Sequence, residues 1–343
     1  MNLQIINPAN RPDWNKLLKN TPGSTIFHTR EWASVMQKTY NYTPCHFTEM
    51  SWDRIQTLIP VMEVSSWLTG TRGVSLPFTD FVPILILDRR SWPDVFKNIS
   101  NYAKSQHYKY LEFRSPLPGS SERTVFTSYF THILHLKDKT DELYQGFHSS
   151  TKRNIKKAEK SGIQIEKHQS LDALQKFYDL HCLTRKRHGV PVQPWTFFRN
   201  IYTELFKNNL GHLLMARHEE QWIAGAVYFY FNNLAVYKFG ASDMNYQHMR
   251  PNDLVMWNAI TEFAESGFNS LHFGRTDLGH EGLRRYKLGW GAEEETIDYF
   301  RYDPVKNQFI EGKGNSSETL YPLKIAPVPI LKLLGKVAYR HVA

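Results

Sequence analysis

"EFAESGFNSLHFGRTD", Glu262–Asp277, reads as the end of an amphipathic helix, a short polar break and a strand. The chain writes the same plan a second time in "NYAKSQHYKYLEFRSP", Asn101–Pro116. Ala103 matches Ala264, Ser105 matches Ser266, Leu111 matches Leu271 and Phe113 matches Phe273. Arg114 and Arg275 follow, offset by an inserted Gly274. Self-similarity at about half the chain length marks a duplicated domain.

The flanking residues extend the match. Before the second copy, "HLLMAR", "WIAGAVYFYF" and "LAVYKFGA" are strand-like and aromatic. They are separated by "HEEQ" and by Asn232-Asn233, a pair suited to the positive φ of a two-residue hairpin turn. Before the first copy, "HFTEM", "IQTLIPVMEV" and "GVSLPFTDF" give a looser version, with "SWDR" as a turn. Each half thus predicts a strand meander, a helix (Trp92–Ser105; Asn252–Ser266) and a further strand. Three helices introduce the second half: Ser149–Ser161, Leu171–Arg187, and Trp195–Lys207 entered through Pro194. The expected class is α+β, with two tandem domains, each a mostly antiparallel mixed sheet flanked by helices. The first covers 1–136 and the second 137–310, followed by a basic amphipathic tail, 311–343.

A chain of 343 residues is long enough for two such domains, and its 41% hydrophobic content excludes wholesale disorder. No apolar run reaches eighteen residues, and the start lacks a charged n-region followed by an apolar h-region, so a cytoplasmic protein is expected. Cys45 and Cys182 offer neither a disulfide framework nor a metal-ligand pair. The net charge of +9 is concentrated in one helix and in the tail, whereas a general polyanion binder would spread it over a face.

That helix is "STKRNIKKAEKSG", Ser150–Gly162, with Lys152, Arg153, Lys156, Lys157 and Lys160 against Glu159 alone. Like charges one turn apart cost stability. Ser149 to Thr151 offer N-cap hydroxyls, Ile155 and Ala158 an apolar docking edge, and Gly162 a stop. The cations then face outward, toward the phosphates of an acceptor stem, a nucleotide-linked sugar or a pyrophosphate lipid. A merely solvated helix is the competing reading.

At these residues the chain resembles the FemAB family, the peptidoglycan bridge-forming aminoacyltransferases and their relatives in exopolysaccharide systems. "STKRNIKKAEKSGI" resembles the family's R-N-I-x-K-A-x-K-x-G segment, and "FYDLHCLTRKRHGV" its helix ending in Thr-x-x-Arg. "LAVYKFGASDMNYQHMRPNDLVMWNAI" resembles its tyrosine–glycine strand, loop and Trp-bearing helix, and "LHFGRTDLGHEGLRRYKLGWGAE" its glycine-rich close with an aromatic–lysine pair. The four occur in the family's order, within a resemblance running from about Phe27 to Tyr302.

The resemblance implies two GNAT-like acyltransferase domains and acyl transfer to an amine of a cell-envelope precursor; nothing in the sequence requires more than a monomer. The donor would be aminoacyl-tRNA or acyl-CoA, with no bound cofactor and no metal. It suggests Lys38 and Arg185 or Arg187 as contacts for an anionic substrate, and Tyr286-Lys287 as the aromatic–lysine pair beside the reacting carbonyl or the terminal nucleotide. The family's coiled-coil arm, present in some members, has no heptad counterpart here.

Acyl transfer to an amine needs a deprotonated amine, a held carbonyl and a donor for the oxyanion. Lys287 could fill the last role or clamp a phosphate as a compact charge, among Gly274, Gly279, Gly282, Gly289 and Gly291, which would admit a ligand close to the backbone. An ordinary surface lysine is the competing reading. Asp277 and Glu281 are the nearest acids for the amine's proton, with His272 as an alternative, although solvated acids are common. Tyr237 could line the cleft or pack in the core. Arg250, before Pro251-Asn252, could meet phosphate at a helix start or belong to an ordinary proline helix entrance, and Arg275 is a further candidate substrate contact. "QHMRPND" lacks the glycines of an acyl-CoA pyrophosphate loop, and Gly-x-Ser-x-Gly, HExxH and Walker patterns are missing. The cleft is expected between the halves, lined mainly by the second.

Three readings follow. The first is a FemAB-like N-acyltransferase. The second is an acyl-CoA-dependent acetyltransferase acting on an amino sugar or amino acid. The third, of another class, is a non-catalytic binder of polyanions or of an anionic membrane. The tail places Ile330, Leu331, Leu334 and Val337 near one face, with Lys332, Lys336 and Arg340 elsewhere, as in a helix lying on a membrane. Packing against its own domain is the alternative.

Overall fold

Both copies close their helix in the same way. In the computed structural model, which describes residues 3–88, 91–119, 123–137, 139–312 and 321–341, His107 (φ 56°) and Gly267 (φ 75°) are each left-handed just past a helix end. Across that residue Tyr108 N–H donates to Ala103 O at 2.8 Å, and Phe268 N–H to Phe263 O at 2.9 Å. This six-to-one bond is the Schellman closure. The caps pair Ala103 with Phe263, one residue off the helix match that Ala264 and Ser266 suggest, while Leu111 with Leu271 stands. The helices run Trp92–Ser105 and Pro251–Glu265. Each lies in sequence between two strands that pair in parallel, with registers Gly73↔Leu111 and Leu234↔Ser270.

The chain divides into two compact units. The first comprises Met1–Tyr129, Thr296–Ser316 and Ala338–Ala343, and the second Phe130–Glu295 and Ser317–Val337. In the first, Gln4–Ile6, His46–Ser51, Arg54–Ile59 and Leu85–Ile86 form an antiparallel sheet. Thr43–Pro44, Met62–Ser66, Gly70–Val74, Leu111–Phe113 and Phe300–Tyr302 follow one another in a second set. "IQTLIPVMEV", read as one strand, is two. Pro60 has no N–H to donate, and the chain leaves one sheet there for the next. "GVSLPFTDF" is a strand only to Val74, because Leu76 and Phe78 take positive φ. Trp92, Val95, Ile99 and Ala103 pack the helix on Phe47, Ile59, Leu111 and Phe113.

In the second unit the strand order is Gln164–His168, Gly211–His218, Gln221–Phe231, Leu234–Ser242, Ser270–Asp277, then its parts of Thr127–His135 and Glu293–Asp303. Asn232 and Asn233 both have positive φ, as the hairpin turn requires. Side-chain alternation gives the sheet two buried faces. Leu214, Ala216, Ala224 and Ala226 pack with Ile155 and Ala158 of the basic helix and with Leu254, Val255 and Ala259. Phe177 and Met215 meet at Gly225 on the other face, where Leu171–His188 and Trp195–Glu204 lie.

Candidate active site

The site is built where the strand Leu234–Ser242 runs into the helix Pro251–Glu265. Parallel pairing covers Leu234–Val236 with Ser270–His272, and both strands continue past it, to Ser242 and Asp277. A cavity of about 310 Å³ opens here, lined among others by Arg187, Tyr237, Ser242, Arg250, Asp253 and Tyr286. All belong to the second unit.

Local geometry explains several of these placements. The register shifts between Val227 and Tyr228, opposite Tyr237. The Tyr237 ring then folds over Gly240 so closely that a Cβ there would lie 1.8 Å from the phenolic oxygen. The tyrosine–glycine spacing is therefore steric. Arg250 takes a left-handed turn (φ 64°) and its carbonyl receives Asp253 N–H at 3.1 Å, which starts the helix. Ser242 is buried, and its hydroxyl oxygen accepts from Gln247 Nε2 (2.9 Å) and Asn252 Nδ2 (3.2 Å), which leaves its one proton for a further acceptor.

Asp253 is buried, and desolvation raises its carboxyl pKa against the opposing effects of the Asn154 hydrogen bond and the Arg250 charge. Asn154 Nδ2 donates to Asp253 Oδ1 at 3.3 Å. Burial pushes Tyr237 up to about 12 and Tyr286 well above its usual value, the latter also through the nearby Asp253 charge. Both phenols stay protonated at neutral pH. His188, on the same cavity, is held below 6.5 by burial and by Arg187 and Arg185, so it is neutral. Two guanidinium groups against one carboxyl give the cavity a preference for anions, with a proton acceptor inside.

The sequence candidates divide over this geometry. Tyr237, Tyr286, Arg187 and Arg250 line the cavity. Lys287 does not: it is buried, and its Nζ donates to Gly274 O (2.8 Å) and Arg275 O (3.0 Å). The aromatic–lysine pair thus parts, with the phenol toward the cavity and the ammonium fastening Glu281–Leu288 to the Gly274 kink of the strand. Asp277 closes its strand by accepting His280 N–H at its carbonyl, and exposed Glu281 pairs with Arg284 at 3.3 Å. Neither is among the cavity's lining residues. His272 has both ring nitrogens committed, Nδ1 to Gly274 N–H (3.0 Å) and Nε2 to Thr131 Oγ1 (2.8 Å). Arg185 donates to Pro191 O, Arg275 contributes its carbonyl to Lys287, and Lys38 is exposed in the last turn of Arg30–Tyr40 in the first unit.

The basic helix spans Ser149–Glu159, with Ile155 and Ala158 buried as expected. Its cap is His148, without a side-chain bond, rather than a hydroxyl of Ser149–Thr151. Thr151 is buried against Gly289 instead, where a Cβ would come within 2.6 Å of its Oγ1, and His148 N–H donates to Gly289 O. Gly289 therefore serves helix docking. Lys152 is drawn back onto Gln145 O (2.8 Å), while Arg153, Lys156, Lys157 and Lys160 are exposed.

Burial raises both thiol pKa values, which keeps Cys45 and Cys182 as thiols. Among the described residues no group of three His, Cys, Asp or Glu could hold a metal ion, and no helix is long and apolar enough to cross a membrane. Sequence reading missed Asp253, Ser242 and Asn154. All three stood in quoted motifs, Asn154 in "STKRNIKKAEKSGI" and Ser242 and Asp253 in "LAVYKFGASDMNYQHMRPNDLVMWNAI", and needed the fold to bring them together.

Comparison with known proteins supplies the context. Residues 145–301 match the acetyltransferase (GNAT) domain family. A lipid II:glycine glycyltransferase of Staphylococcus epidermidis is 24% identical over 240 residues, half of this chain. The match spans only 57% of that relative's length. The crystal structure of FemX superposes with a TM-score of 0.71 at 15% identity, over 87% of this chain and 97% of that one. A tandem GNAT protein from the clavulanic acid biosynthesis pathway gives 0.55 at 10% identity, over 88% and 98%. The tandem GNAT-like fold and the resemblance drawn from the motifs are both supported.

Proposed function

We propose that this chain, a member of the FemAB family, is an N-acyltransferase that moves an aminoacyl or acyl group onto an amine of a cell-wall or exopolysaccharide precursor. The observation that carries the reading is Asp253: a buried carboxyl of raised pKa, in one cavity with two arginines and two protonated phenols. A general base works best with a pKa moved toward the operating pH, and burial moves it that way.

In the proposed reaction the amine nitrogen attacks the donor's ester or thioester carbon, and the carbonyl electron pair moves onto oxygen. The Tyr286 or Ser242 hydroxyl donates to that oxyanion. Asp253 takes the proton from the new ammonium. The intermediate collapses with loss of the ribose oxygen or thiolate, which takes up a proton, and the amide remains. Arg187 and Arg250 hold donor or acceptor phosphate. Lys287 acts as a positioning residue, through the helix that carries Tyr286.

Aminoacyl-tRNA is the preferred donor. The glycyltransferase relative and the glycine-free "QHMRPND" support it, and exposed Arg153, Lys156, Lys157 and Lys160 would meet the RNA phosphates. The GNAT-domain match favours acyl-CoA as the second reading. The test is transfer of labelled glycine or acetyl from charged tRNA or acetyl-CoA to a lipid-linked peptidoglycan precursor. Label from tRNA on the precursor amine is expected. Label from acetyl-CoA alone would replace the donor, and transfer from neither would overturn the proposal.

A further inference from the structure

The helix Val328–Ala338 buries one narrow edge. Leu331 and Gly335, one turn apart, face the domain: Val192 N–H donates to Leu331 O at 3.3 Å, and a Cβ on Gly335 would sit 1.7 Å from Val192 O. The edge can only be glycine where the backbones come this close. The remainder of the helix is turned out, and it is not polar. Ile330, Leu333, Leu334 and Val337 are between 41% and 63% exposed. Their spacing of i, i+3, i+4 and i+7 makes one continuous apolar stripe.

Lys332 and Lys336, also one turn apart, border the stripe. Beside them a largely apolar groove of about 570 Å³ lies between Lys332, Leu333 and Lys336 on the helix and Tyr178, Pro194 and Trp195 on the domain. Lys332 Nζ stands 4.9 Å from the centre of the Tyr178 ring, which holds the ammonium at the groove. Just before the helix, Lys324 and Ile325 are exposed as well.

We infer that this face docks on a bilayer carrying anionic phosphate headgroups. The stripe enters the acyl boundary, and Lys332 and Lys336 take the phosphates. Apolar area beside a row of cations, with no acid on the helix, is the composition that binds an anionic interface and that water alone disfavours. The inference stands on the helix and groove alone, whether or not the chain transfers acyl groups.

Co-sedimentation of the full chain with phosphatidylcholine–phosphatidylglycerol vesicles tests it, against vesicles of phosphatidylcholine alone. Salt-sensitive binding to the anionic vesicles is expected. Lys332→Glu with Lys336→Glu should weaken it by more than about tenfold, and Leu333→Glu with Val337→Glu should abolish it. Leu333, Lys336 and Val337 are exposed, so unchanged thermal unfolding should accompany the loss in the Leu333→Glu/Val337→Glu variant, whereas Lys332 also packs on Tyr178. Binding to neither vesicle, equal binding to both, or variants that bind as the parent does would overturn the inference. So would concentration-dependent self-association removed by Leu333→Glu, since a second copy would then be the occupant.

Discussion

Asn154 donates to Asp253 at 3.3 Å, so the most strongly cationic helix of the chain also holds the buried acid of the cavity. Arg153 is its neighbour in sequence and Lys157 lies one turn on. Ile155 and Ala158 supply the docking that the charges oppose. The helix tolerates its own repulsion because its polar edge reaches the site.

Reversing charge on that helix should change donor affinity and leave the fold intact. Lys156→Glu with Lys157→Glu, both exposed, should weaken charged-tRNA binding and flatten its dependence on salt. Each lost phosphate contact removes about 0.7 to 0.9 from the log–log slope. Titration at two salt concentrations measures it, and an unchanged slope would separate the helix from the donor.

Gly240→Ala forces a Cβ onto the Tyr237 hydroxyl and should lower turnover, with a stability loss of about 1–3 kcal/mol. Tyr237→Phe removes the oxygen that clashes. The double variant should therefore be more stable than the sum of the single changes allows. Additive losses in denaturant unfolding would show that the clash is relieved elsewhere.

Lys287→Ala removes two buried hydrogen bonds from a charged donor and should cost on the order of 3 kcal/mol. Turnover should fall with it, through displacement of Tyr286. A variant of unchanged melting temperature but no activity would put the ammonium on the substrate instead.

Acid should unfold the protein by way of its buried histidines. Burial lowers His28 and His181 to about 4 and His46 to about 3. The unfolded chain then binds more protons than the folded one between those values and about 6.5. Stability present above pH 6.5 is lost as the pH falls toward 4, on the order of 2–4 kcal/mol for each histidine. His46 has neither ring nitrogen hydrogen-bonded among the described residues, so His46→Phe should make the denaturant midpoint less sensitive to pH. An identical slope would place the protons elsewhere.

The duplication was legible because helix caps and strand alternation are local. "LEF" and "LHF" face the same way in both copies, and Asn232-Asn233 can turn in few other ways. Pro60 is equally readable: without an N–H it interrupts "IQTLIPVMEV", which therefore holds two strands rather than one. The site was less legible because its residues meet only in the fold. Asp253 looks like an ordinary first-turn acid until Asn154, ninety-nine positions earlier, is seen beside it. Lys287 stood out because the family resemblance set an aromatic–lysine pair at the site and glycines surround it, and neither signal says whether a short helix turns its lysine or its tyrosine to the cavity.

The most direct test is the pH profile of turnover for the parent and for Asp253→Asn. With Asp253 as the base, the parent rate falls as pH drops through its raised pKa. The variant should lose about 10²–10⁴ in kcat, with donor binding kept. It should be no less stable near neutral pH, since a carboxyl whose pKa burial raises weakens the fold once ionised. A variant that keeps the parent's rate and profile would contradict the account, and remove this cavity from the chemistry.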